Sequence, residues 1–268
     1  MIVDTHVHLL PGRLGEKVRA IFEAYIPGRL SYPNDHAAVL AAAERAGVGQ
    51  VWSLPYAHKP GVAAGLNEAS ARLAARPPHP SVQVVGGATV HPGDADPERV
   101  VGRAIDELGL RVLKLHCSVG DFRADDPAFD AMWRLVERRR LPAVVHVGHA
   151  VTGHTRSEEL AALENVARRH PQAPLIIAHA AHPASAAAIE LIGRCPNVLA
   201  DLTPVVTEPV EVPAEVLEEH ADRFLFGTDA PNVALTIESG MARLDGLSPA
   251  ARAAILGGNA RRLLAEVR

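Results

Sequence analysis

One type of strand constrains this chain most. The runs AVVHV (143–147), PLIIAH (174–179) and RFLFGTD (223–229) are apolar almost without interruption. A strand with one face in water alternates apolar and polar residues, whereas a strand covered on both faces does not. Strands covered on both faces belong to parallel sheets, whose neighbours are joined by crossovers long enough to hold a helix. The rest of the sequence supplies those crossovers. Strands are expected at 2–9, 50–54, 82–90, 111–116, 142–147, 175–179, 198–202 and 224–228. A helix and an irregular Pro/Gly loop are expected in 13–32. Further helices are expected from a cap at Asn34 or Asp35 to Ala46, then over 63–76, 96–108, 127–140, 157–170, 184–194 and 213–221. The tail from Ile237 onward also reads as helix, broken at Gly257-Gly258. Eight βα units in one chain of 268 residues predict a single (β/α)8 TIM barrel over 1–268 with extra C-terminal helices. The competing fold, a doubly wound open sheet, would carry a Gly-rich phosphate loop after an early strand, and none occurs.

The apolar strands end in polar residues. In order along the chain these are His6 and His8, Tyr56, His91, Lys114 and His116, His146, His179, Asp201 and Asp229. Side chains two apart on a strand share a face, so Asp4, His6 and His8 are expected on one side and Val3, Thr5 and Val7 on the other. By the same rule Lys114 and His116 share the inward face with Val112, while Leu113 and Leu115 face the helices. Two imidazoles at this spacing suit neighbouring coordination positions of a metal ion. They equally suit a pair of hydrogen-bonded histidines at a barrel mouth. Polar groups gathered at one end of a barrel are costly unless paired, hydrogen-bonded or metal-bound, and one metal accounts for the cluster economically.

These motifs resemble the amidohydrolase superfamily, and within it the amidohydrolase-related (amidohydrolase 2) branch of metal-dependent barrel hydrolases and decarboxylases. The resemblance is carried by DTHVH, VLKLH, VVHVGH, IIAHAAH and FLFGTDAP in that order, with ILGGNARRLL near the end. It implies that His6, His8, His146 and Asp229 hold one divalent ion, Zn foremost, with Mn, Fe or Co as other candidates. Lys114 and His179 would join them if the centre held two ions, with Lys114 carboxylated. It implies Asp229 as the base that takes a proton from metal-activated water, and His179 as the group that stabilises charge on the attacked oxygen. Asp4 is expected behind a ligand histidine. Lys114, otherwise, would meet an anionic substrate group or pair with Asp4 or Asp201. The family often has His-Leu-Gly-Gly after strand six, where this chain has His179-Ala180-Ala181-His182, so His182 becomes a candidate contact.

Substrate contacts are expected from Tyr56, His91, Lys114, His116, Arg123, His149 and His182, with His154 and Arg156 nearby. The cations among them favour a small anionic molecule such as an amide, lactone or ester carrying a carboxylate. The same centre can also serve non-oxidative decarboxylation of an aromatic or unsaturated acid. A phosphoesterase of the TatD-like or histidinol-phosphatase-like kind is a rival reading, although the TatD-like pattern has a glutamate where Lys114 stands. A metal-binding barrel without catalysis is another. A net charge of −4 and a pI near 6.4 give no electrostatic case for nucleic acid or an anionic membrane. No apolar run is long enough to span a bilayer, no signal-peptide pattern is present, and Cys117 and Cys195 have no metal or disulfide spacing, so the cytoplasm is the expected location. The expected partner is a small-molecule substrate, with a homo-oligomer left open.

Overall fold

The computed structural model describes residues 1–147 and 156–268. Eight strands lie in sequence order around one sheet, each parallel to the next. They are β1 (Ile2–Val7), β2 (Val48–Ser53), β3 (Gln83–Thr89), β4 (Val112–His116), β5 (Ala143–His146), β6 (Leu175–Ile177), β7 (Val198–Asp201) and β8 (Phe224–Leu225). Backbone hydrogen bonds from β1 to the segment after β8 close the ring: Thr5 N to Phe226 O at 2.9 Å, Asp229 N to His6 O at 2.8 Å and His8 N to Ala230 O at 2.8 Å. The fold is the expected (β/α)8 barrel, with the helices Ile237–Ala242, Pro249–Ala253 and Asn259–Glu266 added at the C-terminus. Among the described residues no helix is long and apolar enough to cross a membrane.

Helix starts follow local chemistry. Asp35, rather than Asn34, caps His36–Arg45 by accepting from Ala38 N at 2.7 Å, and Asp96 caps Pro97–Asp106 by accepting from Arg99 N at 3.0 Å. After β4 the chain makes a short helix, Cys117–Gly120.

The two-residue period of the strands separates stability from chemistry. Val112, Val144, Leu199 and Leu225 pack inside the barrel with Val3 and with Leu263 of the last helix. Two residues further along each strand stand Lys114, His146, Asp201 and Gly227. Leu113 and Leu115 pack in the outer layer against the helices, as the alternation requires. The barrel is thus apolar at its base and polar at the carboxyl ends of its strands, where barrel enzymes carry their sites.

Alternation fails in β1. Its pairing with β2 slips between Asp4, opposite Val51, and Val7, opposite Ser53. Val3 packs inside the barrel while Val7 joins the outer layer, a change of side that a regular strand cannot make. Asp4 consequently does not lie behind the ring of His6 or His8. Its carboxylate accepts from Thr228 Oγ1 at 2.6 Å, from Thr228 N at 3.1 Å and from His6 N at 3.1 Å.

β6 and β8 are shorter than expected, because the chain turns inward before reaching His179 and Asp229. Both residues adopt positive φ, 55° and 65°. Gly227 lies at this crowded closure. A Cβ there would overlap Thr203 Oγ1 and come within 2.8 Å of His6 Cβ. Gly227→Ala is expected to lower stability by about 1–3 kcal/mol in urea denaturation, the cost of overpacking a tight core. A midpoint equal to wild type would show that the closure has room to give.

Candidate metal centre

The rings are oriented from behind by acceptors. His6 Nδ1 donates to Asp201 Oδ2 at 2.9 Å, and His8 Nδ1 donates to the carbonyl of Leu54 at 2.7 Å. His179 Nδ1 donates to the carbonyl of Thr203 at 3.2 Å. In the tautomer with its proton at Nδ1, such a ring keeps a lone pair at Nε2. His8 Nε2 stands 3.2 Å from Asp229 Oδ1, and His6 Nε2 stands 3.8 Å from the same oxygen. One donor atom from each of His6, His179 and Asp229 lies within 4.8 Å of the other two. Imidazole lone pairs facing a carboxylate oxygen are acceptors facing an acceptor, an arrangement that a cation resolves. Three nitrogens and one oxygen form a borderline donor set suited to Zn and its neighbours in the first row. His6, His8 and Asp229 of the implied set, with His179 joining them, therefore fit the divalent ion that the family resemblance implies.

Asp201 is the carboxylate behind the ligand, the place expected for Asp4. Besides His6, it accepts on Oδ1 from His179 N at 2.8 Å and Thr203 N at 3.2 Å. Burial works to raise its pKa, but contact with His6 and its other donors outweighs this and holds it well below the ordinary carboxylate range. Burial likewise works to raise Asp229, and contact with His8 and the surrounding rings outweighs it. Both carboxylates are ionised at neutral pH.

His146, expected among the ligands, stands next to His179 and His116. It pairs in register with His116, so the two rings stack at 3.8 Å and 16°, and its ring lies 4.9 Å from that of His179. Tyr56 joins the same wall, 5.3 Å from the ring of His8 and 5.0 Å from that of His116. Lys114 is fully buried, with Nζ 3.1 Å from His6 Nε2. Burial lowers its pKa to about 8. It makes no ion pair with Asp4 or Asp201.

Three expected substrate contacts already have partners. His91 is a loop tie, its Nε2 donating to Gly120 O at 3.0 Å and its Nδ1 accepting from Gly93 N at 3.0 Å, so neither nitrogen is left for a substrate. Arg123 is held by Asp125 at 2.9 Å and 3.2 Å, and His182 by Glu208 at 2.9 Å. His149 and His154 lie outside the described residues. His179 also changes character: a ring that gives its Nδ1 proton to Thr203 offers a lone pair at Nε2, suited to a metal or a proton, rather than the N–H that would polarise a carbonyl.

Burial lowers the pKa of His6 to about 3, places His116 and His146 well below the ordinary imidazole value, and lowers His179 as well. In the unfolded chain all four titrate near 6.5. Below that pH the unfolded chain takes up protons that the fold refuses, so this contribution to stability is complete above pH 6.5 and is lost as pH falls. Asp4, raised to about 7 by burial, works in the opposite sense, but it is one group against four. The melting temperature of metal-free protein is expected to fall by roughly 5 °C or more between pH 7 and pH 5. A flat profile in calorimetry would contradict the neutral assignment of these rings.

The amidohydrolase family (Amidohydro_2) matches residues 3–265. No curated protein matches the chain. Among solved structures, an uncharacterised TIM-barrel protein, Bb4693 from Bordetella bronchiseptica, is similar at TM-score 0.77 and 19% identity, over 99% of this chain and 98% of that one. The 5-carboxyvanillate decarboxylase of Novosphingobium aromaticivorans, complexed with manganese and 4-hydroxy-3-methoxy-5-nitrobenzoic acid, is similar at TM-score 0.71 and 15% identity, over 99% and 96%. The 4-oxalomesaconate hydratase of Rhodopseudomonas palustris is similar at 0.65 and 16%, over 99% and 96%. At such identities the likeness speaks for a shared fold. With the family match running from the first strand into the last helix, the chain belongs to the amidohydrolase family.

Proposed function

We propose that this protein is a metal-dependent enzyme that hydrolyses a small anionic amide, lactone or ester. The observation that supports this most is the convergence of His6 Nε2 and His8 Nε2 on Asp229, an ionised carboxylate, with a donor atom of His179 in the same group. A divalent ion in such a site supplies Lewis acidity and lowers the pKa of water from 15.7 towards about 7. Asp229 takes the proton of the attacking water and returns it to the leaving group. His6 and His8 hold their tautomers through Asp201 and Leu54, so their Nε2 atoms need no rearrangement to serve as ligands. His179, neutral and buried, serves as a further ligand or takes a proton at Nε2. Tyr56 and the stacked pair His116 and His146 wall the mouth and orient the substrate. Zn and Mn are the leading ions, Zn from the donor set and Mn from the manganese complex of the decarboxylase that shares the fold.

Non-oxidative decarboxylation is the second reading, favoured by the likeness to a decarboxylase of an aromatic acid. There the carbon that loses carbon dioxide must receive a proton, and Asp229, ionised at rest, would take that proton from water and pass it on.

The test is turnover by metal-loaded protein on parallel panels of amides, lactones, esters, aromatic and unsaturated acids, and phosphoesters. Hydrolysis predicts activity in the first three, and release of carbon dioxide alone would move the assignment to decarboxylation. Activity confined to phosphoesters, or none at all, would overturn both. On whichever substrate responds, Asp229→Asn is expected to lower kcat by about 10²–10⁴ while circular dichroism stays unchanged. An undiminished rate would remove Asp229 from its role.

A further inference from the structure

Lys114 is fully buried, and the acceptor within its reach is the nitrogen that a metal would use. His6 gives its Nδ1 proton to Asp201 at 2.9 Å, so the lone pair in the ring plane sits at Nε2. Lys114 Nζ is 3.1 Å from that atom. Asp201 and Asp229 both attract the lysine's charge through space, but their close contacts are with the His6 and His8 rings. Given the proposed metal reading, on which this step rests, we infer that Lys114 competes with the metal for His6 Nε2, so that this lysine sets how tightly the centre holds its ion.

One lone pair cannot accept from an amine and coordinate a cation at the same time. Metal entry therefore takes the acceptor from Lys114 and leaves two positive groups side by side in a site shielded from solvent. Like charges repel strongly there, because little water screens them. Lys114 follows Val112 of the inner apolar layer by two residues on β4 and is fully buried, with Nζ at the His6 ring. The consequence is a centre whose ion is held more weakly than the same donors would hold it without the lysine. A carboxylated Lys114 bridging two ions would act in the opposite direction, adding ligands rather than opposing them.

The experiment compares metal-free wild type and Lys114→Met, titrated with Zn and with Mn against a chromophoric chelator, with metal content measured per chain. Methionine fills a similar buried volume without charge or donor. The dissociation constant is expected to fall by about tenfold or more in the variant, with the same metal content per chain. Lys114→Gln, which keeps an N–H donor but no charge, is expected to fall between the two. Equal affinities would overturn the competition, and weaker binding with fewer ions per chain would show instead that Lys114 is a ligand. Should neither variant fold, a structure of metal-loaded wild type decides. Nζ is expected to have left hydrogen-bond distance of His6 Nε2, and Nζ remaining there overturns the inference. Failure of every form to bind metal would retire the metal reading itself, whereas equal binding by wild type and variants retires the competition alone.

Discussion

The hydrogen bond from His6 to Asp201 joins β1 to β7 across 195 residues, and the rest of the site depends on it. A fully buried carboxylate is expensive to desolvate, and Asp201 offsets that cost with donors from three parts of the chain: the His6 ring, the His179 backbone and the Thr203 backbone. Each donor serves the site as well. The ring bond sets the tautomer of His6, and the backbone bond fixes the turn that carries His179. A buried ion-pair-like contact is weak evidence for stability, since an apolar substitute often does as well. Its value here is geometric, because it fixes the Nδ1 side of the ring and turns Nε2 toward Lys114 and Asp229.

The barrel can accommodate so polar a mouth because its base is built without polarity. The interior layer of Val112, Val144, Leu199 and Leu225 is closed from below by Leu263 of the last helix. Stability resides in that layer, and the next inward residues are free to be chosen for chemistry. Lys114 shows the coupling between the two. It stands two residues beyond Val112 on β4, and its amine ends at the ring of His6, a candidate ligand.

The fold was legible because eight doubly buried strands leave few arrangements, and the residues of the candidate site because they stand at strand ends in steps of two. What escaped notice did so for specific reasons. The strand period put Asp4 with His6 and His8, but the slip between Asp4 and Val7 depends on pairing with β2, which no pattern within β1 records. Asp201 was visible as a strand-end carboxylate, yet its partner lies at the other end of the chain. His91 and His182 looked like substrate contacts because their partners, Gly120 and Glu208, come from loops whose paths sequence does not give. Arg123 is different, since Asp125 two residues later was a local partner in plain view.

The turns after β6 and β8 carry the remaining constraint. Non-glycine residues in the left-handed region are uncommon and cost of order 1–3 kcal/mol where the surroundings impose them. Here His179, Ala180 and Ala181 adopt it in succession, and Asp229 adopts it alone. Aspartate tolerates this conformation better than histidine or alanine does. At both turns the backbone N–H of the functional residue is bonded to the same framework: His179 N to Asp201, and Asp229 N to the carbonyl of His6. Regular continuation of either strand would have carried these side chains onward with the alternating pleat. The inward turn instead brings His179 and Asp229 within ligand distance of His6, and its backbone cost is opposed by bonds that themselves converge on His6 and Asp201. The strain and the donor geometry therefore have one origin, the need to gather groups from both ends of the chain around a single nitrogen of His6.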